Sequence, residues 1–169
     1  MSILKIMNSN YLSLVKESDL SSQECFRKFL SVILIKIKSD IINLTKSERQ
    51  EIAVDYINKS GFTVISKSTS TINISHKFDF GFVVYGALYT TVEKEIPKNI
   101  SFIFAIDEEV YQETLKIHNH ISIFFLGPNK LVEIIFTDFL HDLDRDYHNS
   151  LSHINYREVI SAFMLNNLK

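Results

Sequence analysis

The sequence is poor in the residues that build disulfides and irregular loops. It has one cysteine, four glycines, two prolines and no tryptophan among 169 residues. The lone cysteine, Cys25, excludes an intramolecular disulfide. The sequence has no P-loop, dinucleotide fingerprint, nucleophile elbow or CxxC motif, and four glycines are too few for most of the loops that cradle phosphates. These absences favour a binding protein over an enzyme, and no cofactor is expected.

The sequence also lacks a large excess of positive or negative charge, and it lacks long hydrophobic runs. The formal net charge is -2 and the lysines are scattered, whereas nucleic-acid binders carry a basic footprint. The longest apolar run, Ser31–Ile37, is interrupted by Lys36 and is far shorter than the roughly 20 residues of a membrane span. The N-terminus lacks the apolar core of a signal peptide. We therefore expect a cytoplasmic protein that contacts neither nucleic acid nor membrane.

Amphipathic helices are what the sequence contains instead. Apolar residues recur at three- and four-residue spacing in four segments, which predicts helices over about 22–44, 46–60, 107–118 and 156–169. In the first segment, Val32, Ile35 and Ile42 widen the apolar face beyond what one sheet face would cover. That helix is therefore predicted either to be deeply buried or to supply a surface for a partner.

Between the helices the apolar period changes from 3.6 to 2, which is typical of strands. Strands are predicted over 62–67, 71–92 (as one bent strand or as two), 100–106 and 120–126. Adjacent strands with short links favour antiparallel pairing. The predicted fold class is α+β, with the four helices packed on a mostly antiparallel sheet of four to six strands.

The predicted domain organisation is simple. Residues 1–20 form an N-terminal arm or short helix, and residues 21–169 form a single α+β domain. Segment 130–140 fits a helix better than a strand, because its apolar residues recur at helical spacing. Segment 141–154 is polar and rich in histidine and aspartate, and it is predicted to be a loop.

One histidine, His76, lies in the otherwise apolar row of a predicted strand. The surrounding INISHK, with the later ISFIFAI and its following helix, resembles the phosphorylated-histidine region of phosphotransferase-system IIA domains. The resemblance implies a phosphocarrier role for His76, but Ser75 and Lys77 stand where that family has proline and glycine. A buried imidazole with a hydrogen-bond partner is the simpler interpretation, so His76 is predicted to belong to the packing of the strand.

The richest polar cluster is segment 141–148. Its simplest interpretation is a solvated loop with net negative charge, and an alternative is an acidic surface for a protein partner. Its candidate contact residues are Asp138, Asp142, Asp144, Asp146 and Tyr147. An acidic surface of this kind steers association with a basic partner. Tyrosine is favoured at interfaces, and Tyr11, Tyr89 and Tyr111 are further candidates for exposed aromatic contacts.

The same cluster contains possible metal ligands, although no metal site is predicted. Asp142, with Asp144 and Asp146, resembles the opening of a calcium loop, but the glycine and the bidentate glutamate of that motif are missing. His141, Asp142 and His148 are weak candidates for zinc or magnesium because their spacing matches no recognised motif. If His118 and His120 lay on one strand, their side chains would point the same way and could bind a metal ion together. His118 is instead predicted to end a helix.

The interpretation that these observations favour is a stoichiometric protein-binding protein inside the cell, most of all an immunity protein or antitoxin that neutralises a toxin by direct binding. A second interpretation is a secretion-effector chaperone, because the element order resembles the dimeric chaperones of type III secretion if Lys130–Phe136 is a strand. A third is an IIA-like phosphocarrier or a small metal-dependent enzyme. Both a monomer and a homodimer fit the sequence.

Overall fold

The computed structural model describes residues 2–68 and 70–168. These residues form six α-helices: α1 (Ile3–Ser13), α2 (Gln23–Ile42), α3 (Lys46–Lys59), α4 (Glu108–Ile117), α5 (Pro128–Tyr147) and α6 (Tyr156–Asn167). A short 3-10 helix covers Leu14–Glu17, and the five strands are β1 (Thr63–Lys67), β2 (Thr71–Lys77), β3 (Val83–Tyr89), β4 (Ile100–Ala105) and β5 (Ser122–Phe125). Within these described ranges, no helix is both long enough and apolar enough to span a bilayer.

The chain divides into two compact units. Unit 1 comprises residues 1–44 and 132–169, and unit 2 comprises residues 45–131. The division falls between Leu44 and Thr45 and, further along, inside α5 between Leu131 and Val132. The single domain over 21–169 stays a prediction.

Unit 1 is helical and has an aromatic core. The apolar face predicted for α2 is confirmed, since Phe26, Phe29, Leu30, Ile33, Leu34, Ile37 and Ile41 are all buried. Phe29 of α2 lies against Phe139 of α5, with ring centroids 6.3 Å apart, and Phe136 lies 5.7 Å from Phe163 of α6. Burying a side chain of this size contributes roughly 1.5–3 kcal/mol, so these rings fix the helices of the unit.

Unit 2 contains one sheet with the strand order β1-β2-β3-β4-β5. The α+β class is confirmed, but the predicted mostly antiparallel pairing is wrong because the sheet is mixed. β1–β2 and β2–β3 are antiparallel, whereas β3–β4 and β4–β5 are parallel. The reason lies in the connections, since parallel neighbours need a crossover. The ten residues 90–99 supply the first crossover and α4 supplies the second.

The alternation of side chains along the strands divides the core of unit 2 in two. Ile72, Ile74, Leu88 and Phe102 lie with Val54 of α3 in one apolar cluster. Residues of opposite parity, such as Ala87 and Ile103, lie with Val110 of α4 in a second cluster. Successive strand side chains point to opposite faces, so α3 covers one face of the sheet and α4 the other.

The predicted loop over 141–154 is wrong in its first half, because α5 continues to Tyr147. Leu143 is completely buried and extends the helical spacing set by Phe139 and Leu140. Arg145 pairs with Asp142 one turn earlier, with nitrogen and oxygen 3.0 Å apart, and such pairs support an exposed helix face. The prediction of a helix over 130–140 is confirmed. Lys130–Phe136 is therefore helical, and the strand that the chaperone-like element order requires is missing there.

The bounds of α2, α3 and α4 and the start of α6 lie within two residues of the predicted ones, and the predicted end of the last helix at 169 lies outside the described residues. Side-chain caps begin α2 and α3. Thr45 and Glu48 form a capping box at the start of α3, with reciprocal bonds of 2.9 and 3.1 Å. Gly61 follows α3 with φ +92°, a conformation that glycine adopts without strain. The N-terminal cap of α2 is Ser22, whose hydroxyl accepts a hydrogen bond from Cys25 N at 3.1 Å.

Candidate functional site: an exposed aromatic hairpin

The most unusual surface of unit 2 is the tip of the β2–β3 hairpin. Phe78 N donates to Phe82 O at 2.8 Å, and Gly81 N donates to Phe78 O at 2.9 Å. Gly81 has φ +90°, so the turn depends on glycine. Three phenylalanines stand on this turn, and Phe78, Phe80 and Phe82 are 39%, 79% and 58% exposed. We call these three residues the aromatic tip.

The rings of the aromatic tip are ordered against one another. Phe80 stacks on Phe78 with centroids 5.5 Å apart and on Phe82 with centroids 6.1 Å apart, both at 17° between planes. Offset stacking adds about 0.5–1.5 kcal/mol per pair beyond area burial. The tip is therefore a preformed surface, which lowers the entropy that an interface must lose when it binds.

His76 connects the aromatic tip to the core of unit 2. Its ring centroid lies 4.7 Å from that of Phe78 and 4.9 Å from that of Phe62, and Phe62 in turn contacts Phe102 at 5.4 Å. The imidazole Nδ1–H donates to Gly61 O at 3.2 Å. The half-buried histidine thus has ring contacts on two sides and a backbone partner, as the packing interpretation predicts.

The predicted acidic surface lies on α5 in unit 1, where two of its carboxylates are bound to an asparagine. Asn8 of α1 is 1% exposed, and its Nδ2 donates to Asp138 and, at 3.3 Å, to Asp142. Asp142 also pairs with Arg145. Asn8 Oδ1 is buried and has no hydrogen-bond partner among the described residues. The burial of Asn8 and its bonds to these carboxylates could not be predicted from the sequence, because a polar residue on a short N-terminal helix is expected to be exposed.

The other predicted carboxylates of α5 also bind within unit 1. Asp144 accepts from the hydroxyl of Tyr156 and from Arg157 Nε. These hydrogen bonds, the one from Tyr156 first, hold the pKa of Asp144 below its usual range. Asp146 accepts two bonds from Arg145, at 2.9 and 3.2 Å, and its pKa is likewise lowered. A basic partner would therefore compete with these internal arginines.

Tyr147, the last residue of the predicted partner surface, is half-buried at the end of α5. Two of the other tyrosines predicted to be exposed are buried, so that prediction is wrong for Tyr11 and Tyr89. Tyr11 points into the core of unit 1, where its hydroxyl donates to Asp40 at 2.9 Å. Burial and the neighbouring carboxylate raise the pKa of the Tyr11 phenol.

Across residues 2–68 and 70–168, no three His, Cys, Asp or Glu side chains are arranged to hold a metal ion. Of the weak candidates, His141 and Asp142 lie on α5 and His148 follows its end. The rings of His118 and His120 are 6.3 Å apart. His118 is the C-terminal cap of α4, and its Nε2 bonds to Glu93 O at 3.0 Å.

Unit 2 also contains a polar cluster, which lies where β4 ends. Asp107 accepts from Arg49 Nη1 at 2.8 Å and pairs with Lys46 Nζ at 3.1 Å, and Lys46 also donates to Thr90 O at 2.6 Å. Burial raises the pKa of Asp107, but the bonds from Arg49 and Lys46 outweigh it and hold the pKa below its usual range. A cavity of about 590 Å³ opens beside Arg49 and Asp107. The two cations are engaged by Asp107, so this cluster ties α3 to the end of β4.

This ion-pair cluster predicts a pH-dependent contribution to stability. We expect Asp107→Asn to lower the free energy of unfolding by about 2 kcal/mol at pH 7, because charged hydrogen bonds are lost. The folded pKa of Asp107 is depressed, so the contribution is present above the unfolded pKa near 3.9 and disappears as the pH falls through the folded pKa. Urea unfolding at pH 7 and at pH 3 measures the difference. Asp79→Asn, which removes an exposed carboxylate of the hairpin, is the matched control. Equal losses of unfolding free energy in the two variants would contradict the stabilising role of the Asp107 ion pairs.

Sequence reasoning did not identify the aromatic tip as a surface. Phe78, Phe80 and Phe82 continue the apolar even positions of β2, so they look like core residues of a longer strand. The signal against that interpretation was local, since Asp79 and Gly81 alternate with the phenylalanines and favour a turn. Residues of a turn lie beyond the end of the paired strands, so the phenylalanines that continue the apolar pattern of β2 into the turn are exposed.

Comparison of the chain with protein-family models, with curated proteins and with solved structures finds no match.

Proposed function

We propose that the chain is a stoichiometric protein-binding protein whose contact surface is the aromatic tip. The observation that carries the proposal is the exposure of three stacked phenylalanines on one turn. Leaving such a ring in water forgoes roughly 1.5–3 kcal/mol of burial. Contiguous apolar surface on a protein is typical of an interaction site, so burial of the tip against a partner would recover that free energy.

The size of the aromatic tip fits the centre of an interface rather than a whole one. A phenylalanine buries about 150–250 Å², so at their exposed fractions the three rings offer roughly 300–400 Å². A stable interface covers about 800 Å² on each partner. Aromatic anchors that account for most of the affinity lie at the centre of such interfaces and are surrounded by weaker contacts. Exposed Lys77 and Asp79 flank the rings and would belong to that rim.

Within protein-binding proteins, we propose the immunity or antitoxin class, in which the partner is a toxin that the chain neutralises by covering it. The absence of catalytic motifs in the sequence and the preformed aromatic tip support this class. An inhibitor of this kind needs affinity and a rigid contact surface but no chemistry of its own. The acidic residues of α5 stay a predicted second contact, although their internal bonds to Arg145 and Arg157 weaken them as docking groups.

The test removes the aromatic tip and asks whether a specific partner is lost. Tagged wild-type protein, purified from the cells that produce it, is expected to retain one partner at equal stoichiometry. Phe80→Ser with Phe82→Ser is expected to weaken that complex by about 100-fold or more, because interface anchors each contribute 2 kcal/mol or more. Calorimetry with the purified partner measures the change. Co-expression with the partner would show protection from toxicity by wild type and not by the double variant.

Leu165→Ser is the matched control, because Leu165 is also an exposed apolar residue, at 68%, but lies on α6. It should bind the partner like wild type. Equal binding by the tip variant and the control would exclude the aromatic tip as the contact surface. Binding of the wild type to lipid vesicles, lost in the tip variant, would replace the protein partner with a membrane and overturn the proposal.

A further inference from the structure

The second exposed apolar surface belongs to α2 in unit 1. Val32, Ile35 and Ile42 are 57%, 68% and 83% exposed, while the opposite face of the same helix is buried. With Ser39, these residues follow one another at spacings of three, four and three. That is the spacing of the a and d positions of a heptad repeat. The sequence left open whether α2 is deeply buried or supplies a partner surface, and its exposed stripe fits the second alternative.

Lysines flank this stripe on both sides. In the same heptad register Lys36 takes position e and Lys38 takes position g, and both are exposed. Neither lysine has an ion-pair partner among residues 2–68 and 70–168. The helix has four basic residues against two acidic ones, although the whole chain has a net charge of -2. The stripe is therefore apolar along its centre and is flanked by positive charge on both sides.

A groove continues the stripe toward the start of α2. Its volume is about 460 Å³, and Val32, Lys28 and Phe29 line one wall, with Leu14 and Glu17 of the 3-10 segment on the other. The groove lengthens the apolar track beyond Val32. Because its walls carry both signs of charge, selectivity for a charged partner must come from Lys36 and Lys38.

We propose that this face of α2 binds an amphipathic helix of another protein, with an apolar a/d stripe flanked by glutamate or aspartate. The apolar stripe would pack side by side with Val32, Ile35 and Ile42, and the acidic flanks would lie against Lys36 and Lys38. Opposite charges at e and g set the choice of partner in paired helices. Ser39 at an a position restricts the register of the pairing, as polar residues at that position do.

Two other occupants of the stripe are excluded, one by its charge and one by the narrow width of the apolar surface. A second copy of this chain would place Lys36 and Lys38 opposite the same lysines, and like charges at e and g disfavour that pairing. A membrane surface would suit the basic flanks, but α2 exposes three aliphatic side chains in a narrow stripe. Helices that lie on membranes present a broad apolar face, often with aromatic residues. This inference is independent of the proposed function, because it concerns a different helix and a different unit.

The experiment uses two designed peptides of three heptads each, with leucine at every a and d position. One peptide has glutamate at e and g, so it repels itself at neutral pH, and the other has lysine there. Binding of each fluorescently labelled peptide to the full chain is measured by anisotropy. The glutamate peptide is expected to bind more weakly as salt is raised, since its flanking charges are screened. The lysine peptide is expected not to bind.

Two sets of variants test the contributions of the apolar stripe and of its flanking lysines to binding separately. Ile35→Ser and, separately, Lys36→Glu with Lys38→Glu should each weaken binding of the glutamate peptide by about tenfold or more, and the charge reversal should create binding of the lysine peptide. Lys94→Glu with Lys98→Glu changes the net charge equally at exposed residues outside unit 1 and should leave binding unchanged. Ile117→Ser, at an apolar residue of α4 that is 42% exposed, is the control for the stripe.

Five results would overturn the proposal. The glutamate peptide does not bind; both peptides bind equally; the control variants weaken binding as much as the α2 variants do; or the wild-type chain is a dimer that Ile35→Ser converts to a monomer. Capture of the chain by anionic vesicles through the same lysines would also replace the protein partner with a membrane. The variants of the aromatic tip leave α2 intact, so failure here and failure of the proposed function are distinguishable.

Discussion

Gly86→Ala is expected to lower the free energy of unfolding by about 2 kcal/mol, although it adds a single methyl group. An ideal Cβ at Gly86 would lie 2.1 Å from Cε2 of Phe102, which lies beside it in the parallel β3–β4 register. The ring of Phe102 is 7% exposed and lies against Phe62 and Phe104, at 5.4 and 5.7 Å. It cannot move away without displacing its neighbours.

The opposing effect of this substitution is smaller. Alanine restricts the unfolded chain more than glycine does, which stabilises by about 0.4–1 kcal/mol where the backbone fits. Overpacking of a filled core costs roughly 1–3 kcal/mol, so the clash outweighs the entropy. The expected result is a lower midpoint of urea unfolding with an unchanged dependence on urea concentration, followed by circular dichroism.

A double-mutant cycle separates the clash from a backbone effect. Phe102→Leu removes ring atoms at the contact, so Gly86→Ala should cost about 1–2 kcal/mol less in that background than in the wild type. Gly81→Ala is the matched control, because its Cβ would meet nothing within 4 Å while its φ is +90°. Its cost is backbone strain, and Phe102→Leu should not change it. A Gly86→Ala cost that is the same in both backgrounds would contradict the packing argument.

The local parts of the fold could be predicted from the sequence, because local signals determine them. The capping box of Thr45 and Glu48, the left-handed Gly61 and the buried stripe of α2 all depend on residues a few positions apart. Strand direction depends on connections that the local pattern does not encode. β4, with Phe102 and Ile103 buried on opposite faces, had the doubly apolar pattern that is typical of parallel strands.

The surfaces could be predicted less well, because exposure depends on where an element ends and on what packs against it. The apolar alternation of β2 continues through Phe80, but the sheet stops at Lys77. The acidic cluster looked like a loop because Asp142, Asp144 and Asp146 are poor helix formers. Partners distant in sequence, such as Asn8 and Tyr156, satisfy those carboxylates along α5, and no local pattern reveals such partners.

Asn8→Asp is expected to destabilise unit 1 by about 3–5 kcal/mol at pH 7. Asn8 is 1% exposed, and its amide donates to the carboxylates of Asp138 and Asp142. The substitution replaces that donor with a third carboxylate in a site that water barely reaches. Leaving a buried charge uncompensated costs roughly this amount, and Arg145, which already pairs with Asp142 and Asp146, would offset only part of it.

The sign of the pH dependence follows from the same geometry. Burial and two neighbouring carboxylates would raise the folded pKa of the introduced carboxyl group above its unfolded value near 3.9. A raised carboxyl pKa destabilises the folded state at neutral pH, and the loss is relieved as the pH falls through the folded pKa toward 4. Once protonated, the new carboxyl group can donate a hydrogen bond as the amide does. The gap between wild type and variant should therefore shrink between pH 7 and pH 4.

Asn8→Leu removes the same hydrogen bonds without adding charge, so it isolates the electrostatic part. It is expected to cost about 1–3 kcal/mol for the lost bonds, with a smaller change between pH 7 and pH 4 than the aspartate variant shows. Thermal unfolding of the three proteins at both pH values measures the comparison. Equal losses for the aspartate and leucine variants at both pH values would mean that solvent reaches the pair of carboxylates. The contrast between the two variants thus tests whether the predicted contact residues Asp138 and Asp142 form part of a buried polar link between α1 and α5.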